Sequence, residues 1–104
     1  MNDAQILVLL VPAARRDEVV DLLMACDHIE GFTRLRAAGF SREHSRFSLR
    51  EAVQGYEDQE RFEVVCPPPV IDELLDSINA IAGRDHFFYW VQPVLRQGRL
   101  GMPT

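Results

Sequence analysis

Gln5-Ile6-Leu7-Val8-Leu9-Leu10-Val11 is an uninterrupted apolar run that stops at Pro12, and its reading decides the fold. It is far shorter than the ~20 residues a helix needs to cross a bilayer, so it reads as a strand. Pro12 ends it and opens a helix, at a position where a missing backbone N–H is tolerated. Ile6, Val8 and Leu10 alternate with Leu7, Leu9 and Val11, so both faces of the strand are apolar. A single layer of helices covers one of them.

Beyond Pro12, Val19, Leu22, Leu23 and Cys26 share one helical face, with Arg16, Asp17 and Asp21 off it. Gly31 to Ala38 reads as the second strand, polar and apolar residues interleaving from Thr33 onward, and Gly39 marks the exit from the sheet. Residues 41–60 are too polar to form a core and read as a long loop. Within it, Leu49 and Val53 stand four apart between Ser48 and Gly55, the pattern of a short amphipathic turn. Arg61 to Cys66 is the third strand, Phe62 and Val64 alternating with Arg61 and Glu63. Pro67, Pro68 and Pro69 end the ladder and set up a second helix with the stripe Ile71, Leu74, Leu75, Ile78 and Ala82. Asp72 and Glu73 favour its first turn, and Gly83 stops it. Phe87 to Leu95 makes an aromatic-rich last strand, followed by a polar tail over 96–104.

The order strand, helix, strand, strand, helix, strand is the split βαβ pattern of ferredoxin-like folds. It predicts an α+β sandwich: one antiparallel sheet, two helices on one face, and a long loop between strands 2 and 3. A length of 104 residues predicts one domain over 1–104. Leaving three such side chains wet, on whichever face the helices do not cover, would forfeit roughly 5–9 kcal/mol, comparable with the whole stability of a small domain. The bare face therefore predicts self-association, the alternative being that the long loop folds back over the sheet.

The formal net charge of −5 argues against nucleic acid as a partner, since phosphate binding rests on clustered positive charge. Arg34, Arg36, Arg42, Arg46 and Arg50 face only Glu43 in sequence and make the loop entrance locally basic. The chain has no lysine. With Asp3 where a signal would be basic, and no membrane-length apolar segment, the expected compartment is the cytoplasm with no membrane insertion. Cys26 and Cys66 lack the spacing of a zinc or redox motif and read as reduced and mostly buried.

Gly31-Phe32-Thr33 and Gly39-Phe40-Ser41-Arg42 resemble the Gly-Met-Thr and Gly-Phe-Gly-Arg pair that flanks the second strand of PII signal-transduction proteins. The likeness continues through Arg61 to Ile81 and in Tyr89-Trp90-Val91-Gln92-Pro93-Val94, similar to that family's Phe-Val-Leu-Pro-Val strand. Ser48-Leu49 to Gly55, and the ending Trp90 to Leu95 with Gly98-Arg99-Leu100, resemble more closely a PII-like group often associated with heavy-metal efflux systems.

The resemblance implies a non-enzymatic homotrimer. It would bind a small effector, an adenine nucleotide or other anion, between subunits and signal through its long loop to a partner such as a membrane transporter. The effector residues implied are Gly39, Phe40, Arg42, Glu43, Arg84, Arg96 and Arg99, and the partner-binding loop is Ser48, Leu49, Val53 and Tyr56. Two departures stand out. The glycine-rich, lysine-bearing loop of PII proteins is here only Gly83-Arg84-Asp85-His86, and Glu43 replaces a glutamine. Arginines at strand and helix ends would have to supply the anion contacts, a guanidinium holding phosphate or carboxylate by paired hydrogen bonds.

The alternative reading is a copper-, zinc- or nickel-binding trimer of the copper-tolerance type, with His44 as its ligand on the long loop. Cys26-Asp27-His28 and Asp85-His86 are further donor groups, without a spacing that guarantees convergence. Ser41, Ser45 and Ser48 near His44 form no nucleophile-and-base pattern specific enough to indicate an enzyme.

Overall fold

A computed structural model of the chain describes residues 3–42 and 48–101. Strand β1 (Gln5–Pro12) leads through a 3-10 turn (Ala13–Arg15) into helix α1 (Arg16–Met24). Strand β2 (Thr33–Gly39), a short helix α2 (Leu49–Gln54) and strand β3 (Glu57–Cys66) follow. Helix α3 (Pro68–Ala82) and strand β4 (Phe88–Pro93) complete the chain. The four strands form one antiparallel sheet in the order β2-β3-β1-β4, as the ferredoxin-like reading expects.

The core forms where the apolar stripes of α1 and α3 meet one sheet face. Leu7, Leu9 and Val11 of β1 and Phe62, Val64 and Cys66 of β3 pack against Val19, Leu23, Ile71, Leu74 and Ile78, all buried. The opposite face carries Ile6, Val8 and Leu10, with Arg61 and Val65 of β3, Leu35 of β2, and Phe88 and Trp90 of β4 beside them in register. Val8, flanked by Glu63 and Trp90, is buried within the chain itself. Ile6 and Leu10 are half-buried, and Leu35, Val65 and Phe88 remain exposed. In β2 the apolar members Leu35 and Ala37 point to this open face, while Arg34 sits beside core residue Phe62 on the helix side.

Several boundaries differ from the sequence reading: Pro12 ends β1 rather than opening a helix, and α1 starts only at Arg16 after the 3-10 turn and ends at Met24, two residues before Cys26. β3 begins at Glu57 rather than Arg61, because Glu57 to Glu60 pair with Gly39 to Arg36 and lengthen the ladder by four residues. Acidic residues on both faces of that stretch conceal its two-residue period. β2 begins at Thr33 and keeps Gly39 as its last member, opposite Glu57. β4 is shorter, Phe88–Pro93, since its pairing with β1 runs from Phe88 to Pro93. The expected loop over 41–60 thus contracts at its far end and contains α2. Cys66 is buried and Cys26 half-buried, both free. Among the described residues no helix is long and apolar enough to cross a membrane.

Candidate functional site

The long connection between β2 and β3 is anchored at its base by backbone and ring contacts. Gly39 pairs with Glu57, and the Phe40 and Tyr56 rings lie 5.4 Å apart between centroids. A Cβ on Gly39 would come 2.4 Å from Cδ of Gln59, so this glycine leaves room for the Gln59 side chain across the sheet. Inside the connection, α2 is fixed by a reciprocal cap. The Glu51 N–H donates to Ser48 Oγ at 3.2 Å and the Ser48 N–H to Glu51 Oε1 at 3.0 Å. The other Glu51 oxygen accepts the Asp58 N–H at 2.6 Å, tying α2 to the start of β3. Backbone donation by Ser48, helped by Asp58, holds the Glu51 carboxyl below its ordinary range. Gly55 ends the helix in the left-handed region at φ 87°, where a side chain would be strained. Leu49 and Val53 are 86% and 84% exposed, so the apolar line of α2 makes no burial against its own chain.

The turn after α3 is held from an unexpected direction. Arg15, in the 3-10 turn after β1, donates to the carbonyls of Ile81 and Ala82 and to Asp85 at 2.6 Å. It also grips Glu18 through two contacts of 2.7 and 2.9 Å and stacks over the Phe87 ring. Hydrogen bonds donated to Glu18 and then to Asp85 raise its already high pKa, and the same contact with Arg15 lowers that of Glu18. Arg15 therefore caps the carboxyl end of α3 and sets the shape of Gly83-Arg84-Asp85-His86. Nothing in its sequence context signals this, because its partners lie 66–70 residues away.

The basic entrance expected from sequence is partly neutralised. Arg34 Nη1 meets Glu60 Oε1 at 2.9 Å and Arg50 Nη1 meets Asp58 Oδ2 at 3.6 Å, both acids supplied by the extended start of β3. Arg42, Arg84 and Arg96 form no ion pair among the described residues, whereas Arg99 lies 3.5 Å from Glu30 with both side chains exposed.

The expected effector residues divide between two ends of the sheet. Gly39, Phe40 and Arg42, with Arg84 after α3, belong to the end where β1 finishes and β4 begins. A cleft of about 600 Å³ opens there between the end of α3 and the start of β4, lined by Gln59, Asn79, Gly83, Asp85, His86 and Phe88 among others. Arg96 and Arg99 follow β4 at the opposite end, where Arg99 lines a second cleft with His28, Glu30, Thr33 and Glu63. Eight-residue β1 separates the two ends by roughly 23 Å at about 3.3 Å per residue. One chain does not bring the set together. Glu43 and His44 lie outside the described residues.

Of the other donor groups, Asp85 is engaged by Arg15, and His86 lines the cleft beside it. Cys26, His28 and Glu73 do converge: one ligand atom of each lies within 4.8 Å of the others. His28 Nδ1 stands 2.9 Å from Glu73 Oε2, and that contact raises the imidazole pKa. The sequence reading named Cys26 and His28 but not Glu73, which α3 delivers from 45 residues downstream.

Residues 1–101 match the family described as "Protein of unknown function (DUF3240)". No curated protein matches the chain. Among solved structures, a DUF3240 family protein from Shewanella baltica OS155 is similar with a TM-score of 0.79 and 28% identity, over 96% of this chain and 99% of that one. CPII from Thiomonas intermedia K12, bound to ADP, AMP and acetate, superposes with a TM-score of 0.71 at 16% identity, over 92% and 89% of the two chains. The same protein, described as a nitrogen regulatory PII-like protein, bound to ADP, AMP and bicarbonate, gives a TM-score of 0.68 at 16% identity over 92% and 93%. At that identity the CPII likeness concerns the fold.

Proposed function

This chain belongs to the DUF3240 family, and from that premise we propose that it is a cytoplasmic, PII-like regulatory protein, non-enzymatic, that acts as a homotrimer of single-domain subunits. Its effector is a small anion of the adenine-nucleotide class, bound between subunits. Its output is the conformation of the segment between β2 and β3, read by a partner protein such as a metal-efflux transporter.

The division of the arginines carries the reading. Arg42 and Arg84 stand at one end of the sheet and Arg96 and Arg99 at the other, so a joint anion site requires a second copy. The open face supports such a copy. Leu35 and Val65 are 44% and 41% exposed and Phe88 64%, flanking half-buried Ile6, Leu10 and Trp90. Covering them contributes at about 25 cal/mol per Å² of apolar surface. The PII-like fold shared with CPII, whose structure holds ADP and AMP, adds weight to a nucleotide as effector.

In mechanism this is a population shift. Nucleotide at the cleft beside Gly39 and Arg84 favours one arrangement of the adjoining segment, and it does so only as far as it binds that arrangement better. Exposed Leu49 and Val53 on a capped helix are then the contact presented to the partner.

Sedimentation equilibrium together with denaturation midpoints in ATP, ADP and AMP tests the proposal. A trimer whose midpoint rises with nucleotide concentration, by about 2.7 kcal/mol at a hundredfold excess over Kd, is expected. Arg84→Ala and Arg99→Ala should each remove the shift while leaving the trimer intact. A folded monomer at high micromolar concentration, or a midpoint indifferent to all three nucleotides, refutes it.

A further inference from the structure

We propose that Cys26, His28 and Glu73 form a binding site for a borderline-soft divalent cation of the zinc class, with its fourth position open to solvent. The site is separate from the nucleotide reading and does not use the long loop.

Helix α1 ends at Met24, and the turn that follows leaves Cys26 half-buried at the rim of the core while His28 projects to the surface. Helix α3 runs alongside and places Glu73 opposite, so a thiol, an imidazole and a carboxylate from two distant segments meet within 4.8 Å. Their chemistry is complementary to one ion. Thiolate and imidazole favour zinc, cobalt or nickel over magnesium or calcium, and a carboxylate completes a mixed set of the kind zinc accepts. Zn–S of about 2.3 Å and Zn–N of about 2.0–2.1 Å put tetrahedral ligand atoms roughly 3.5 Å apart. Closing from 4.8 Å therefore asks for about 1 Å of movement, within reach of rotations by His28 and Glu73, whose side chains are 62% and 51% exposed.

The surroundings suit an ion with a free position. A cleft between α1 and α3 is lined by Cys26, Asp27, His28, Glu73 and Ser77 on its polar side and by Leu22, Leu74 and Ile81 on its apolar side. Asp27 adds negative potential beside the cation, and the apolar wall screens the thiolate from bulk water. An ordinary surface ion pair accounts for His28 and Glu73, but it does not account for a thiol as the third member. An occupied site would also tie the connection between α1 and β2 to α3.

Tag-free protein, reduced throughout, is titrated with zinc against a chromophoric competitor and separately with cobalt. One equivalent per chain is expected, with a thiolate-to-cobalt charge-transfer band that Cys26→Ser abolishes. His28→Gln and Glu73→Gln should weaken zinc by more than the ~10-fold minimum typical of losing an outer-shell partner. His44→Gln should change nothing, and magnesium should not compete. Iodoacetamide provides a measurement on the unmodified chain: zinc should slow alkylation of Cys26 and a chelator restore it, while Cys66, 4% exposed, stays unlabelled in both states. The inference is overturned by a cobalt complex without a thiolate band. It is equally overturned by zinc affinity that survives Cys26→Ser or disappears with His44→Gln.

Discussion

Glu60 is 2% exposed, beside Val11 on the helix side of the sheet. A carboxylate tolerates that position because Arg34 lies 2.9 Å from Oε1 and Arg16 3.6 Å from the same oxygen, while Oε2 has no hydrogen-bond partner. Removing one cation should leave a buried anion under-compensated. Arg34→Ala is expected to lower stability by about 2 kcal/mol, in the range for a hydrogen bond to a charged group, read as a shift in the urea midpoint. Arg34→Leu combined with Glu60→Leu should recover most of that loss, since replacing both partners by apolar groups is often nearly neutral. Glu60 also shows why the sequence pattern starts β3 only at Arg61. A lone acid in an alternating stretch reads as a solvent-facing residue, and the partners that bury it lie 26 and 44 positions upstream, at Arg34 and Arg16. Phe62 and Val64 carried their own signal, because apolar side chains at period two need no partner to be recognised. The same limit hides Glu73: Cys26, Asp27 and His28 are visible as adjacent donors, but the carboxylate that meets Cys26 and His28 comes from 45 residues beyond His28.

The short helix α2 is an element whose stability rests on its cap rather than on packing. Ser48-Leu49-Arg50-Glu51 has the spacing of a capping box, a local signal, and the sequence reading saw the turn there although not its reciprocal bonds. Ser48→Ala should cost the helix about 1 kcal/mol. Because Leu49 and Val53 are exposed, the loss should stay local. Amide exchange over 49–54 should accelerate while the global midpoint barely moves. Acid should act through the same carboxyl. Glu51 is held below its ordinary value of 4.5 in the fold, so its contribution is complete above that pH and is lost as pH falls through the depressed value. An NMR titration should show the Glu51 carboxyl ionised, and the Asp58 amide protected, below pH 4.5. Loss of protection already in the ordinary carboxylate range would mean the cap is not formed in solution.

For the whole molecule the decisive asymmetry is between the two sheet faces, and part of it was legible from β1 alone. Ile6, Val8 and Leu10 opposite Leu7, Leu9 and Val11 announced two apolar faces, and the structure covers one with helices. It also tempers the argument, since Val8 is buried by Glu63 and Trp90 beside it rather than awaiting a neighbour. The exposed apolar surface has moved outward along the sheet, to Leu35 on β2, Val65 on β3 and Phe88 on β4. That shift was not readable from sequence, because which face Leu35 joins depends on its register opposite Arg61. It nevertheless specifies a test of assembly that leaves the core untouched. Leu35→Arg introduces a charge on the open face, at a position 44% exposed in the single chain, with Arg61 already beside it. A guanidinium there is hydrated in a monomer but desolvated next to a like charge in a closed oligomer, which disfavours association by several kcal/mol. The variant is expected to sediment as a monomer with an unchanged circular dichroism spectrum, where the proposed assembly has the parent sedimenting as a trimer. It should at the same time lose any nucleotide-dependent rise in midpoint, because the proposed anion site needs Arg84 of one copy and Arg99 of another. A Leu35→Arg protein that stays trimeric would place the contact on another surface, and one that is monomeric yet still stabilised by nucleotide would place the anion site within a single chain.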